Sequence, residues 1–474
     1  MGGNYGILLP EMILSLTAVS LLLAAPSERR QVQWALPWVA LLGIAGALMV
    51  ALSRWGSQTG GYFGMAVEDN LANFARALFL FAAGTVVLTA RSYLRDEKLL
   101  PAEFLILILI ATVGMGLMAT SSDLLMTFLG IEVLSIASYV LAGYRVDKKS
   151  AEAAWKYFIL GAFSTAFLLY GIAILYGMTG STRYGVVAKE LSGLPFSFPL
   201  AAAVVLILVG FAFKAALAPF HVWTPDVYEG APLPVTAYLA VASKAAAFVA
   251  GTRVLLQVIP GLDVQWQELL WFSAVLTMLV GNIAALTQTN LKRMLAYSSI
   301  AHAGYLLVGV TANNALGLSA VLFYLASYAC MTLGAFAVVQ LIAGKGEHRQ
   351  SVLDYCGMGY RNPFLSLALA AFLISMAGIP TTAGFMGKLF LFSAAVKSQF
   401  YWLVVMALIA SAIGIYYYLR VVVLMFFRES DSTQTDVQVS AGVGFVILIL
   451  VLGTFVLGLF PGPLMQIASE VRVF

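Results

Sequence analysis

Long apolar runs recur along this 474-residue chain, and they constrain its fold more than any other feature. The chain is 61% hydrophobic and only 10% charged, which is unlike a soluble globular protein. A helix of about 20 mainly apolar residues spans the hydrocarbon core of a bilayer, and a helix satisfies its own backbone hydrogen bonds there. The continuous runs lack the alternating pattern of a membrane β-barrel. The sequence therefore predicts an all-α polytopic membrane protein.

About fourteen transmembrane helices are predicted. The first run, Ile7 to Ala25, also has features of a signal peptide, but no positive charge precedes it and Glu11 interrupts it. We therefore favour a retained first span. The predicted limits are 5–25, 35–53, 73–93, 103–120, 122–143, 152–178, 198–220, 232–258, 268–289, 293–311, 315–343, 363–397, 401–427 and 441–460.

Two of these spans contain helix breakers. Pro219 and Pro225 interrupt the seventh span, while Gly378, Pro380 and Gly384 interrupt the twelfth. Proline removes a backbone donor, and a break in lipid persists only where protein or water satisfies the freed groups. Ordinary proline kinks are the alternative. Paired breaks in two halves of a chain instead indicate an ion pathway, so helices 7 and 12 are predicted to be broken.

A faint internal repeat predicts two similar halves. Residues 138–143 resemble residues 304–309 at an offset of about 166, and Lys214 and Lys388 are about 174 residues apart. A five-helix unit used twice would be inverted in its second copy, since five is odd; chance similarity of small-residue helices is the alternative. The predicted divisions are 1–100 (helices 1–3), 101–262 (first repeat, helices 4–8), 263–428 (second repeat, helices 9–13) and 429–474 (helix 14).

Lysine and arginine are distributed unequally between the two sets of loops. Loops after odd-numbered spans carry about fourteen of them and the opposite loops about seven. Because basic loops remain in the cytoplasm, both termini are predicted to lie outside.

Four lone charges sit deep inside the apolar runs. Glu132 lies about 13 Å from the nearest charge, Asp123, at the rise of an α-helix, and Lys214, Lys244 and Lys388 are similarly isolated on separate spans. A charge at that depth is expensive and generally faces a partner or a water-filled path. The four residues are predicted to form a charge relay.

Three further residues are weaker candidates for the same relay. Lys156 either joins the input path or extends to the membrane surface. His302 either bridges Lys244 and Lys388 or is a hydrogen-bonded structural histidine. His221, at the break in the seventh span, either takes part in proton transfer or caps freed backbone groups.

The sequence carries no pattern for a redox cofactor or a metal. Cys330 and Cys356 lack ligand spacing, and no nucleotide, haem or iron–sulfur motif is present. A net charge of +4 offers no basic stripe for nucleic acid. Any redox cofactor is therefore expected on another chain.

Four segments together resemble the antiporter-like subunits of respiratory complex I, and most of all the subunit N group of NADH-quinone oxidoreductases. Lys388 after the Gly-Ile-Pro break, the short C-terminus and the chain length favour that group. The segments are 123–132 (DLLMTFLGIE), 213–232 (FKAALAPFHVWTPDVYEGAP), 242–247 (ASKAAA) and 291–305 (LKRMLAYSSIAHAGY).

This resemblance implies a proton-translocating subunit in the membrane arm of a bacterial inner-membrane enzyme. It implies that Glu132 pairs with Lys214, that Lys214 accepts and releases the pumped proton, that Lys244 relays it, and that Lys388 passes it to the exit. Electron transfer, with NADH, FMN, iron–sulfur clusters and quinone, would belong to other subunits. The partners would be other membrane subunits, including neighbouring antiporter-like ones, and lipid. The alternatives are a subunit of a multisubunit Na⁺/H⁺ antiporter or membrane-bound hydrogenase, and a non-pumping scaffold.

Overall fold

The computed structural model describes residues 5–27, 29–429 and 437–471. Almost all of them belong to helices that run back and forth through one bundle. The elements are α1 (Leu9–Ala24), α2 (Arg30–Ser53), β1 (Thr59–Gly61), β2 (Ala66–Glu68), α3 (Asn70–Asp96), α4 (Pro101–Thr120), α5 (Leu124–Ala142), α6 (Lys148–Thr179), α7 (Tyr184–Ser192), α8 (Phe198–Ala215), α9 (Trp223–Gly230), α10 (Leu233–Tyr238), α11 (Lys244–Val258), α12 (Asp263–Leu286), α13 (Leu291–Thr311), α14 (Ala315–Ala343), α15 (Met358–Arg361), α16 (Pro363–Ala377), α17 (Ala383–Lys397), α18 (Tyr401–Phe427), α19 (Ala441–Leu459) and α20 (Gly462–Ser469).

The number of spans agrees with the prediction. Thirteen helical segments of the described residues are long and apolar enough to cross a membrane. One of them, Leu233–Val258, combines α10, a π-helical turn and α11. The remaining predicted span, the twelfth, consists of the short helices α16 and α17, neither of which is long enough alone.

Both predicted helix breaks are present. Helix α8 ends where Ala216 takes the left-handed conformation with φ 60°, and α16 ends where Gly378 does so with φ 84°. After the second break, the N–H of Gly384 donates to the hydroxyl of Ser375 at 3.1 Å. A Cβ at Gly384 would collide with the Ser375 carbonyl, so the return of the chain against α16 requires glycine there.

Matching close contacts in the two halves support the repeat. A Cβ at Gly114 would lie 2.5 Å from the backbone nitrogen of Leu134, where α4 packs on α5. A Cβ at Gly281 would lie 2.5 Å from the nitrogen of Ala301, where α12 packs on α13. Both members of the second pair follow those of the first by 167 positions. This offset is close to the offset of about 166 between the resembling segments 138–143 and 304–309. It is smaller than the spacing of about 174 residues between Lys214 and Lys388.

Two local features were not predicted from the sequence. Strands β1 and β2 form an antiparallel hairpin in which Thr59 lies opposite Glu68. A π-helical turn at Leu239–Ser243 immediately precedes Lys244. Turns of this kind insert an extra residue into a helix and are frequent at functional sites.

Ion pairs near one end of the bundle join helices that are distant in sequence. Arg253 on α11 makes two 2.8 Å hydrogen bonds to Asp69, which also caps α3 by accepting from the N–H of Ala72. Arg76 on α3 donates to both carboxylate oxygens of Glu11 on α1, at 2.8 and 2.7 Å. All four of these charged side chains are buried. They connect α1 to α3, and α3 to the helix α11 that begins with Lys244.

The Asp69–Arg253 pair provides a test of this connection. We expect Asp69→Ala to destabilise the protein by about 3–5 kcal/mol, because it leaves a buried guanidinium without its partner. The matched control is Asp96→Ala, which removes an exposed pair with Arg95 that is worth at most about 1 kcal/mol. The midpoint of thermal unfolding in detergent measures both changes. Equal midpoints for the two variants would contradict the assigned role of the pair.

Candidate functional site: buried lysines along the bundle axis

Lys214 lies two residues before Ala216, where α8 breaks, and is 2% exposed. Its Nζ lies 5.4 Å from the ring centre of Tyr139, 5.2 Å from that of Tyr157 and 5.8 Å from that of Phe213. The ammonium therefore meets aromatic faces, which attract a cation. Within the described part of the chain it has no hydrogen-bond partner.

Glu132 lies on α5 within electrostatic range of Lys214, but the two do not touch. No ion pair of 4.0 Å or less joins them in the described structure, and Oε1 of Glu132 is also buried without a hydrogen-bond partner. The direct pairing implied by the resemblance is thus not made in this conformation. Glu132 is partly buried, on the helix face that also carries the exposed residues Leu125, Leu129 and Ile136.

Several buried hydroxyl groups near Lys214 also lack hydrogen-bond partners among the described residues. They belong to Tyr139, Tyr157, Thr224 and Ser243. Ser243 directly precedes Lys244, and Tyr157 stacks on Trp223 with ring centres 4.4 Å apart. Unpaired buried polar groups are rare in native proteins. Tyr139 and Tyr157 border Lys214 and Ser243 precedes Lys244, so polar groups without partners in the described structure lie beside both lysines.

Lys244 emerges from the π-helical turn and is buried among neutral acceptors. Its Nζ donates to the hydroxyl of Ser299 on α13 at 2.5 Å and to the carbonyl of the same residue. The ring centre of Tyr328 lies 5.8 Å away. No carboxylate forms an ion pair with Lys244 in the part of the chain that the structure describes.

His302 is held through both ring nitrogens. Nδ1 lies 2.6 Å from the hydroxyl of Tyr324, and Nε2 lies 3.1 Å from that of Tyr418, which in turn bonds to Ser298. This agrees with the structural alternative given above. The imidazole nevertheless lies within electrostatic range of both Lys244 and Lys388, so its position also fits a bridge.

Lys388 lies on α17 but reaches back to the broken end of α16. Its Nζ donates to the carbonyls of Met376 and Ala377, both at 3.1 Å, and to the hydroxyl of Ser411 at 2.9 Å. The ring centre of Tyr305 lies 4.7 Å away. The last carbonyls of a helix have no intrahelical donors and carry partial negative charge. Lys388 therefore donates to carbonyls that the break leaves without intrahelical partners.

The structure places Lys156 at the end of the bundle rather than on the axis. Its Nζ makes 2.7 Å ion pairs with Asp226 and with Glu152. Arg293 pairs with the other oxygen of Asp226 at 2.7 Å and with Glu229 at 3.0 Å. Partial burial opposes ionisation of Asp226, but the bonds from Lys156 and Arg293 outweigh it and lower the pKa of that carboxyl. These contacts support the surface alternative for Lys156.

His221 lies in the break after α8. Its side chain caps no backbone group among the described residues, and Nδ1 is buried without a partner. Instead, its backbone carbonyl accepts from the N–H of Thr224 at 2.9 Å. Of the two alternatives for His221, side-chain capping is therefore not observed.

A buried carboxylate that the sequence did not single out joins four distant segments. Glu347, between α14 and α15, accepts from the hydroxyl of Tyr93 at 2.7 Å, the N–H of Leu233 at 2.8 Å and Nζ of Lys292 at 2.7 Å. Arg145 lies 3.4 Å from it. Burial opposes the charge, but Lys292 and the hydrogen bonds from Tyr93 and Leu233 together outweigh burial and lower the pKa of Glu347. Lys292 and Arg145 are among the basic loop residues counted above, and nothing near them in the chain indicates this remote partner.

We expect Glu347→Gln to destabilise the protein by about 3–5 kcal/mol at neutral pH, because it leaves Lys292 buried and unpaired. Since the pKa of Glu347 is lowered in the folded state, its contribution is complete above the unfolded value of about 4.3 and is lost as the pH falls further. The difference in thermal midpoint between variant and parent should therefore shrink in acid. The control is Glu190→Gln, at an exposed residue; a constant difference at every pH would contradict the assignment.

Comparison with known proteins identifies the family. A profile described as NADH:quinone oxidoreductase/Mrp antiporter, transmembrane, matches residues 121–446. The NADH-quinone oxidoreductase subunit N of Trichlorobacter lovleyi is 46% identical, over 98% of this chain and 96% of that protein. The NADH-quinone oxidoreductase subunit N 1 of Solibacter usitatus is 41% identical, over 98% and 96%. This chain belongs to the NADH-quinone oxidoreductase subunit N family.

Solved structures agree with that family. A chain of respiratory complex I from Thermus thermophilus with bound aureothin superimposes with a TM-score of 0.84 and 36% identity, covering 98% of this chain and 100% of that one. A chain of the Mrp complex from a Dietzia species has a TM-score of 0.84 at 21% identity, covering 98% and 96%; this shows a shared fold. The profile includes Glu132, Lys214, Lys244 and Lys388. Among the described residues, no group of three or more histidine, cysteine or acidic side chains could hold a metal ion.

Proposed function

We propose that this chain translocates protons in the membrane arm of an NADH-quinone oxidoreductase, through Glu132, Lys214, Lys244 and Lys388. The observation that carries the proposal is the uncharged surroundings of the three lysines. Each ammonium is buried, and among the described residues none is fixed by a carboxylate. A lysine held by neutral acceptors can release its proton without leaving a buried carboxylate unpaired. NADH oxidation, with FMN, iron–sulfur clusters and quinone, belongs to partner subunits in this proposal.

The polar groups along the axis support a stepwise transfer. Lys214 would exchange a proton with Lys244 through water bound at the unpaired hydroxyls of Tyr157 and Ser243. His302 and its tyrosine partners would connect Lys244 to Lys388. Glu132, on the helix face that carries exposed apolar residues, would switch Lys214 by moving closer or further away. A proton crossing 100 mV costs about 2.3 kcal/mol, so the approach of Glu132 to Lys214 must be coupled to the redox reaction.

The proposal predicts that Lys214→Ala lowers proton pumping by at least about ten-fold, because a positioned acid–base group typically contributes more than that. The matched control is Lys189→Ala, at an exposed lysine of α7, which should pump normally. Proton uptake by inverted membrane vesicles, divided by the amount of assembled complex, measures the effect. Normal pumping by an assembled Lys214→Ala complex would instead favour a scaffold function.

A second variant separates proton transfer from charge. Lys388→Arg keeps a positive charge near the carbonyls of Met376 and Ala377, but guanidinium remains protonated at any working pH. We therefore expect the complex to assemble while pumping falls at least about ten-fold. The same vesicle assay, run with and without sodium, measures this. Full pumping in Lys388→Arg, or an absolute need for sodium, would contradict the proton relay and favour cation exchange.

We further propose that the chain lies in a bacterial cell membrane with both termini outside, as the basic loops favour. Val146 after α5 is 86% exposed and Phe196 before α8 is 56% exposed. In a background with Cys330 and Cys356 replaced by alanine, a cysteine at Val146 should react with a membrane-impermeant maleimide only in inverted vesicles. A cysteine at Phe196 should react only in intact spheroplasts. The reverse pattern would overturn this orientation.

A further inference from the structure

A cleft of about 670 Å³ opens between α2, α3, α4 and the start of α19. It lies outside the axis of buried lysines, and its volume is within the roughly 300–1,000 Å³ that is typical of small-molecule sites. Most of its lining is apolar, including Leu88, Leu100 and Val443. Leu88 is 39% exposed and Leu100 is 64% exposed, so the cleft is continuous with the lipid-facing surface.

Arginine and tryptophan side chains cluster at the polar end of the cleft. The guanidinium of Arg91 lies 4.6 Å from the ring centre of Trp34 and 5.5 Å from that of Trp38. Tryptophan at such a position marks the interface between headgroups and hydrocarbon. The stacking uses the faces of the guanidinium and leaves its N–H edges available to an anion.

The positive charge at this end is not neutralised by a close carboxylate. No ion pair among the described residues includes Arg91. Arg95, one turn later on α3, pairs only with its exposed neighbour Asp96 at 3.2 Å, which is a weak interaction. The nearby carboxylate of Glu97 instead accepts a hydrogen bond from the N–H of Gly346 at 2.5 Å. A site with net positive charge above an apolar groove is therefore present.

We propose that this cleft binds one anionic glycerophospholipid. Its phosphate accepts hydrogen bonds from Arg91 and Arg95, and one acyl chain occupies the groove lined by Leu88, Leu100 and Val443. Basic pockets between transmembrane helices recognise anionic headgroups in this way, and a guanidinium can bind a phosphate with two parallel hydrogen bonds. A zwitterionic lipid offers the same chains but cancels the charge. Selection of the anionic headgroup thus distinguishes this site from the general lipid surface.

The test uses the intact oxidoreductase complex in nanodiscs that contain photoactivatable phosphatidylglycerol or phosphatidylcholine with identical diazirine-bearing chains. Peptide mass spectrometry locates the adducts. We expect phosphatidylglycerol to label residues 34–38 and 87–95 at a lower mole fraction than phosphatidylcholine does. Equal labelling by the two lipids, or no labelling there, would overturn the proposal. Cross-linking of a photoreactive residue at Leu88 to another subunit would show that a protein helix occupies the cleft and would overturn it as well.

Variants then locate the headgroup and the chain. Arg91→Gln should raise the mole fraction for half-maximal labelling about five-fold, the equivalent of about 1 kcal/mol per basic side chain at an anionic surface. Arg91→Lys should restore part of that loss. The control is Lys98→Gln, which removes a positive charge just after α3 but outside the cleft. It should leave the labelling unchanged. Leu88→Trp should lower labelling with the arginines intact, because it fills the groove. Unchanged labelling in both Arg91→Gln and Leu88→Trp would refute the site.

Discussion

The cost of placing a charge in an apolar interior decides how the buried residues of this protein are arranged. Removing an ion from water costs several kcal/mol even after the protein relaxes, so each buried charge must be compensated. Near the ends of the bundle, compensation is by direct pairing, as in Asp69 with Arg253 and Glu347 with Lys292. Along the axis, Lys244 and Lys388 are held by carbonyls and hydroxyls, and Lys214 by aromatic faces. The first arrangement fixes charge, whereas the second allows it to change.

This difference separates buried charges held in ion pairs from the lysines of the proposed relay. If one member of a buried ion pair is neutralised, the other is left as an unpaired buried charge. Both members therefore resist a change of protonation. An ammonium that donates only to neutral acceptors lacks that restraint. Lys388 is the clearest case, because the break in the twelfth span supplies the carbonyls of Met376 and Ala377. The same break that costs backbone hydrogen bonds thereby creates an acceptor site for the lysine.

The number of spans, the two breaks and the four isolated charges were predictable because each is a local property of the sequence. Glu132 and the three lysines stand out within single apolar runs, and proline and glycine mark the breaks. The contacts of Glu347 were not predictable, because Tyr93, Leu233 and Lys292 meet it only after three distant helix ends converge. The π-helical turn before Lys244 was missed for a similar reason. Its apolar residues favour ordinary helix, and packing determines the extra residue.

The two predicted repeats place their lysines differently, and this has a mechanical consequence. Lys214 lies before the left-handed residue Ala216, while Lys388 lies after the left-handed residue Gly378. Only Lys388 can therefore fold back onto the carbonyls of the preceding helix, and only Lys214 is left without a hydrogen-bond partner in the described structure. The half that contains Glu132 thus holds the least restrained ammonium of the axis. In the proposed relay, a small movement of Glu132 would therefore act on Lys214 with no competing hydrogen bond to break first.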